Sequence, residues 1–205
     1  MPAPVVEQSV GRPQKGRLVN ATRFKSGKGY FLRRKERTYG TLETVTQIRA
    51  AITAVRSRFP KLHRLAIGDF SNRHGGPLSG HRSHQSGRDV DLGLYYLKRP
   101  KGYPAEFIPG SEHNLDFAAT WALVEALTKT AGKPGGVERI FLDYSLQKSL
   151  YSWGRKNKVS RAKLRKVLQY PRGRWSDEGV VQHFPNHVDH LHVRFHCART
   201  DKACQ

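Results

Sequence analysis

Acidic side chains are scarce in this 205-residue chain, and their scarcity sets its overall charge. Asp and Glu number 16 against 37 Lys and Arg, which gives a formal net charge of +21 at pH 7 and an isoelectric point near 10.5. A charge this large indicates polyanionic partners or surroundings, such as nucleic acid, an anionic membrane face or an anionic bacterial wall. Because the basic residues are spread along the chain, a single disordered nucleic-acid-binding arm does not account for them.

Long apolar runs and cysteines are also rare. No stretch approaches the ~18 consecutive apolar residues that cross a bilayer. The start, MPAPVVEQSVGRPQKGR, lacks the apolar segment of a signal peptide, so we expect either a chain made without one or a mature form with a new Met1. The two cysteines, Cys197 and Cys204, favour a small disulfide loop and an oxidising compartment. Two free thiols in a cytosolic protein are the alternative.

The apolar pattern predicts a polar start followed by one folded domain. Residues 1–37 are rich in Gly, Pro, Lys and Arg without sustained periodicity, so we expect a basic lead-in that is extended or partly disordered. Residues 38–205 carry the recurring apolar segments of a single domain. Within them, TLETVTQIRAAITAVRSRFP predicts a helix with Thr41 as its N-cap and Pro60 as its stop.

Further helices and strands alternate irregularly after that first helix. Helices are expected over residues 114–131, after Ser145 and after Ser160. Strands are expected in LHRLAIGDF, DVDLGLYYL, VERIFLDY, EGVVQHF and DHLHVRFHC. Because no regular βαβ repeat is present, we expect an α+β fold with a central, mainly antiparallel sheet and flanking helices.

Histidines and aspartates cluster in two stretches, GHRSHQSGRDVDL and HVDHLHVRF. Because side chains two apart on a strand share a face, His190 and His192 project the same way. The turn that contains Gly87 lets His84 and Asp91 converge on one point. His84, Asp91 and His192 then offer Zn²⁺ three ligands and leave the fourth tetrahedral position to water, which is typical of a catalytic zinc site.

The remaining histidines of the second stretch suit the chemistry of such a site. Zinc lowers the pKa of its bound water toward ~7, and His190 is placed to take the proton. His187, one possible turn earlier, could orient this base or stabilise an oxyanion. Each motif alone occurs often by coincidence, and their presence in one chain is what favours the hypothesis.

Three other side chains are weaker candidates for a role in the site, and a fourth is not assigned to it. Asp89 shares a strand face with Asp91 and could hold a ligand histidine from behind, although an ordinary solvated aspartate is an equal reading. The guanidinium of Arg82 suits a substrate carboxylate. Trp175, in the loop-like PRGRWSDEG, could line a substrate groove. Asp189, adjacent to His190 on the expected strand, is expected to point away from the site.

The two stretches together resemble the penicillin-insensitive murein endopeptidases, within the wider group of lysostaphin-type, D-Ala-D-Ala peptidase and hedgehog-like domains. The spacing H-x6-D is met by His84 and Asp91, and H-x-H by His190 and His192. The closer endopeptidase pattern adds a histidine three residues before each motif, and His81 and His187 fill these places. The segments GDFSNRHGGPLSG and RIFLDYSLQ are also similar to the family, and the resemblance covers roughly residues 39–197.

The resemblance implies a function and a location. It implies Zn²⁺ held by His84, Asp91 and His192, with His190 as catalytic base and with His187 and His81 as further active-site histidines. It implies hydrolysis of peptide cross-links in peptidoglycan, of the D-Ala–diaminopimelate type, by a periplasmic or secreted enzyme without a transmembrane segment. The zinc site would lie on the central sheet, and the positive charge would suit an anionic envelope.

Two other functions remain open at this point. A basic groove with histidine and aspartate would also suit a metal-dependent nuclease or nucleic-acid-binding protein, although no nucleic-acid-binding module is present and specific binding is not expected. A non-catalytic protein that retains zinc and binds the cell wall is the other, and the presence of His190 and His187 argues against it.

Overall fold

The computed structural model describes residues 6–205, in which the chain forms ten strands and four α-helices. The strands are β1 (Ser9–Arg12), β2 (Lys15–Leu18), β3 (Thr22–Arg23), β4 (Tyr30–Leu32), β5 (Tyr39–Gly40), β6 (Leu65–Ile67), β7 (Asp89–Gly93), β8 (Val137–Phe141), β9 (Val181–Gln182) and β10 (His190–Phe195). The helices are α1 (Leu42–Arg58), α2 (Phe117–Thr128), α3 (Tyr144–Lys156) and α4 (Arg161–Val167).

A six-stranded mixed sheet organises the fold, in the order β4-β6-β7-β10-β8-β9. The three inner pairs are antiparallel, and the pairs at the two edges, β4 with β6 and β8 with β9, are parallel. Helices α1 and α2 pack on each other, and their apolar side chains join those of the sheet in one hydrophobic core. The expected α+β fold with a mainly antiparallel central sheet is confirmed.

Side-chain caps begin the helices. Thr41 at α1 and Ser160 at α4 each accept a hydrogen bond (3.2 Å) from the backbone N–H three residues on, as predicted. Helix α3 begins earlier than expected, because Asp143 rather than Ser145 is its N-cap. Between residues 6 and 205, no helix combines the length and apolar character needed to cross a membrane.

The two central strands separate the core from the functional face. Strands β7 and β10 pair antiparallel, with His192 opposite Asp91 and Arg194 opposite Asp89. Alternate residues of β10, such as Leu191 and Val193, are fully buried in the core. Because side chains alternate across a strand, the histidines and aspartates of both strands share the other face.

The segment before residue 38 differs from the expected lead-in. Residues 1–5 of this segment lie outside the described range. From Ser9 onward, β1 and β2 form an antiparallel hairpin, and β4 is an edge strand of the central sheet. Phe24 and Leu32 are buried in the core. The strands are only two to four residues long, so they carry no periodicity that the sequence could reveal.

The two ends of the described chain are joined. The predicted disulfide between Cys197 and Cys204 is present, with an S–S distance of 2.07 Å. Inside its loop, the buried carboxylate of Asp201 accepts hydrogen bonds from the backbone N–H groups of Gln8 (2.7 Å) and Ser9 (3.1 Å). The C-terminal loop therefore anchors the β1–β2 hairpin.

We expect Asp201→Ala to release this hairpin. Removing the acceptor leaves the buried N–H of Ser9 and the partly buried N–H of Gln8 unpaired, which should lower the free energy of unfolding by about 1–3 kcal/mol. Hydrogen exchange should show lost protection in residues 9–18 before any change in β7 and β10. The exposed Asp177→Ala is the matched control and should alter neither measurement. Unprotected hairpin amides in the unaltered protein would contradict the described anchoring.

Candidate metal centre

The carboxylate of Asp91 lies at the centre of four imidazoles. Its Oδ1 is 3.2 Å from His192 Nδ1, 3.4 Å from His84 Nε2 and 3.7 Å from His190 Nε2. Its Oδ2 is 3.8 Å from His81 Nδ1. The two stretches that the sequence singled out therefore meet at one point, where His81, His84, His190 and His192 each place a ring nitrogen.

His84 and His192, which flank Asp91, are each held by a contact on the ring nitrogen that points away from Asp91. The Nδ1 of His84 is 2.7 Å from the carbonyl oxygen of Phe70, which only accepts, so Nδ1 carries the proton and Nε2 presents a lone pair toward Asp91. The Nε2 of His192 is 3.1 Å from Asp89 Oδ1, which leaves Nδ1 facing Asp91. Contacts of this kind fix the tautomer and the orientation of metal-ligating histidines.

Asp89 also holds other parts of the site. Its Oδ2 accepts a hydrogen bond from the backbone N–H of His84 (3.0 Å), and its Oδ1 accepts one from Arg194 Nε (2.7 Å). Burial alone would raise the pKa of this carboxyl, but the charge and hydrogen bond of His192, with the charge of Arg194, outweigh burial and hold the pKa well below its usual range. Of the two readings of Asp89 from the sequence, the solvated aspartate is wrong, because this carboxylate is buried and contacts His192.

The other two histidines each have a carboxylate partner of their own. His81 Nε2 is 2.9 Å from the buried Asp69, and His190 Nδ1 is 2.6 Å from Asp189. No local pattern in the sequence points to Asp69, which follows β6 and reaches His81 only through the fold. The expectation that Asp189 points away is wrong: it precedes β10, so strand alternation does not govern its direction.

The residues around Asp91 fit a metal ion. The buried atoms His84 Nε2 and Asp91 Oδ1 have no hydrogen-bond partner among residues 6–205, as expected of atoms that coordinate an ion. Ligand atoms of His81, His84 and Asp91 lie within 4.8 Å of one another. His192 Nδ1 lies 3.2 Å from Asp91 Oδ1, which makes His192 an alternative to His81 as the third ligand.

The backbone turn before β7 brings His84 into this position. Gly87 has φ +74°, and a Cβ there would lie 2.6 Å from the Leu18 side chain, so glycine is required. His84 itself has φ +66°, which is uncommon for a residue other than glycine. The hydrogen bond from its backbone N–H to Asp89 holds that conformation.

His187 lies beside His190 rather than in contact with Asp91. Its ring centroid is 4.8 Å from that of His190, and its Nδ1 is 2.8 Å from the Pro185 carbonyl oxygen. Burial, and then the charge of His190, lower the pKa of His187 to about 4. The ring is therefore neutral at neutral pH, with its proton donated to the carbonyl and a lone pair on Nε2.

The site opens into a cleft of about 800 Å³. Phe141 and Phe184 line one part of the cleft, and Arg33, Arg34 and the exposed Arg82 line another. Arg82 is thus where a substrate-binding residue would lie. Trp175 is not among the residues that line the cleft, and its side chain is 96% exposed.

The fold and the site together define an α+β protein with a histidine–aspartate centre suited to a metal ion at the floor of an open cleft. The chain belongs to the penicillin-insensitive murein endopeptidase family, whose sequence profile matches residues 9–205. The match begins at residue 9, inside the expected lead-in of residues 1–37.

Curated relatives carry the same name. The chain is 31% identical over 147 residues to the penicillin-insensitive murein endopeptidase of Pectobacterium atrosepticum, covering 68% of this chain and 46% of that protein. It is 34% identical over 98 residues to that of Yersinia pestis bv. Antiqua, covering 44% and 36%, and 28% identical over 152 residues to that of Yersinia enterocolitica, covering 70% and 49%. The chain thus spans less than half the length of these relatives.

We expect Asp89→Asn to weaken metal binding while the fold survives. An amide cannot supply the charge that holds His192 and the His84 backbone, so metal affinity should fall on the order of 10- to 100-fold. Competition with a chromophoric chelator measures it. Asp189→Asn is the matched control, because Asp189 contacts His190 instead, and it should keep its affinity. Equal affinities in both variants would contradict the role given to Asp89.

Proposed function

We propose that this chain is a zinc metallopeptidase that hydrolyses peptide cross-links of peptidoglycan, of the D-Ala–diaminopimelate type. The observation that carries the proposal is the convergence of His84, His190 and His192 on Asp91 at the floor of an open cleft, in a chain of the murein endopeptidase family. Hydrolysis of an amide in such a cleft needs an activated water, a base and access for an extended substrate.

His84, Asp91 and His192 would hold the zinc ion. Among the four imidazoles, His192 and His84 have the ring nitrogens nearest Asp91 Oδ1, at 3.2 and 3.4 Å, and the fold buries all three residues. When bound there, zinc would lower the pKa of a coordinated water and polarise the scissile carbonyl. Asp89 and the Phe70 carbonyl would orient the two imidazoles.

His190 would act as the general base. Its Nδ1–H donates to Asp189, which leaves the lone pair of Nε2 directed toward the Asp91 oxygen, 3.7 Å away. Asp189 would stabilise the imidazolium that forms when His190 takes a proton, and His190 would then return the proton to the leaving amine. The ring of Phe107, stacked on His190 at 5.0 Å, would keep it in plane.

His187 and His81 would act beside this base. Because His187 is neutral with its Nδ1–H already donated, its Nε2 accepts a proton, so the arrangement favours a role next to the base over donation to an oxyanion. His81 would face the substrate side of Asp91, held by Asp69. The site of action would be the periplasm or the cell exterior, where the Cys197–Cys204 disulfide is stable.

Digestion of purified peptidoglycan tests the proposal. With zinc present, mass spectrometry should show cross-linked muropeptide dimers converted to monomers, and a chelator should stop this conversion. His190→Ala should lower kcat by about 10²- to 10⁴-fold. His113→Ala, at an exposed residue whose ring pairs with the exposed Glu112, is the control and should digest normally. Unchanged dimers with zinc, or cleavage of DNA in a parallel assay, would contradict the proposal.

A further inference from the structure

Arg33 lies at the edge of the cleft in a fixed position. It follows the edge strand β4, and its backbone N–H donates to the Ile67 carbonyl oxygen (2.9 Å). Its guanidinium lies over the Phe107 ring, 4.1 Å from the centroid, and its Nε donates to the Ala105 carbonyl oxygen (2.9 Å). Stacking and one hydrogen bond therefore pre-organise the planar group.

The same stack leads to the candidate base. The Phe107 ring lies parallel to the His190 ring, with centroids 5.0 Å apart and planes inclined by 10°. Arg33, Phe107 and His190 thus form a continuous stack along the cleft wall, and all three line the cleft. A group bound by Arg33 would be close to His190, the candidate base, because the Phe107 ring contacts both residues.

Arg33 forms no direct ion pair with any of residues 6–205, although Asp69, Asp91 and Asp189 are near enough to act on its charge. The neighbouring Arg34 is paired with Asp69 (Nε–Oδ1 2.9 Å), and Arg194 is paired with Asp89 (2.7 Å). Arg33 makes no ion pair, and its two terminal nitrogens make no hydrogen bond within the described part of the chain. A half-buried guanidinium with both terminal nitrogens unpaired is arranged to receive a planar anion in bidentate fashion.

We propose that Arg33 binds a free carboxylate on the carbon that carries the scissile amide nitrogen, and so selects cross-links formed through an amino acid whose amine-bearing carbon also bears a carboxylate. This inference rests on the proposed function. A carboxylate fits because it is planar and matches the guanidinium fork. Its place beside the amide follows from the stack, since His190 must reach the same amide.

Two synthetic cross-linked peptide dimers test the proposal. They differ only at the carbon bearing the scissile nitrogen, where one carries a carboxylate and the other a carboxamide. The unaltered enzyme with zinc should cleave the carboxylate dimer with a kcat/KM on the order of 10- to 100-fold higher. Arg33→Met should remove most of this preference, chiefly through KM, and Arg33→Lys should keep part of it.

The ratio between the two dimers separates recognition from damage. If Arg33→Met merely displaced His190, it would slow both dimers equally and leave the ratio unchanged, which would overturn the inference. Arg64→Met is the matched control, because Arg64 also lies over a phenylalanine (Phe31, 5.2 Å) but does not line the cleft, and it should keep both the ratio and the rate.

The outcomes also distinguish this inference from the function on which it rests. Equal cleavage of both dimers by the unaltered enzyme would overturn the role of Arg33 while leaving the endopeptidase function intact. Cleavage of neither dimer, together with unchanged dimers in whole peptidoglycan, would overturn both.

Discussion

The site depends on one buried carboxylate, Asp91, and on the positive charge or metal ion that must offset its negative charge. Burial opposes ionisation of this group, yet the neighbouring imidazoles of His84 and His192 outweigh burial and hold its pKa well below the usual range. Four imidazole nitrogens lie 3.2–3.8 Å from its two oxygens. A buried charge of this kind is tolerated only when it is paired or coordinates a metal. The surrounding imidazoles suit both cases, because they can pair with the carboxylate or bind a metal ion together with it.

Each of the four imidazoles also has a hydrogen-bonding partner on the side away from Asp91. A carbonyl oxygen behind His84 and carboxylates behind His81, His190 and His192 fix one ring nitrogen each and direct the other toward Asp91. The N-terminal segment takes part in this shell. Arg34 and Arg37 pair with Asp69, which in turn holds His81. Residues before position 38 therefore belong to the site as well as to the sheet.

Local patterns in the sequence were enough to predict that the candidate ligands lie close together and to predict most helices and strands. Spacing on a strand places His190 and His192 on one face, and the turn at Gly87 joins His84 to Asp91, as the geometry bears out. The helices after Thr41 and Ser160 follow from their caps. These features depend on residues close in sequence, so a single sequence can reveal them.

Features that depend on distant contacts could not be predicted in this way. Asp69 and Phe107 reach the histidines only across the fold, and the short strands β1–β4 are too brief to show a period. Asp189 was misjudged because the strand begins one residue later than expected. The groove role of Trp175 was inferred from its residue type and its loop-like surroundings, which do not determine its position relative to the cleft, and it does not line the cleft.

The central claim is that Asp91 holds a metal ion together with His84 and His192, and the zinc content of single variants tests it most directly. After zinc loading and desalting, His84→Ala and His192→Ala should lose the ion, whereas His81→Ala should keep about one zinc per chain, since three ligands and water remain. Circular dichroism checks that each variant is folded. If His81→Ala loses zinc while His192→Ala keeps it, the ion is held by His81, His84 and Asp91, and the claim is contradicted.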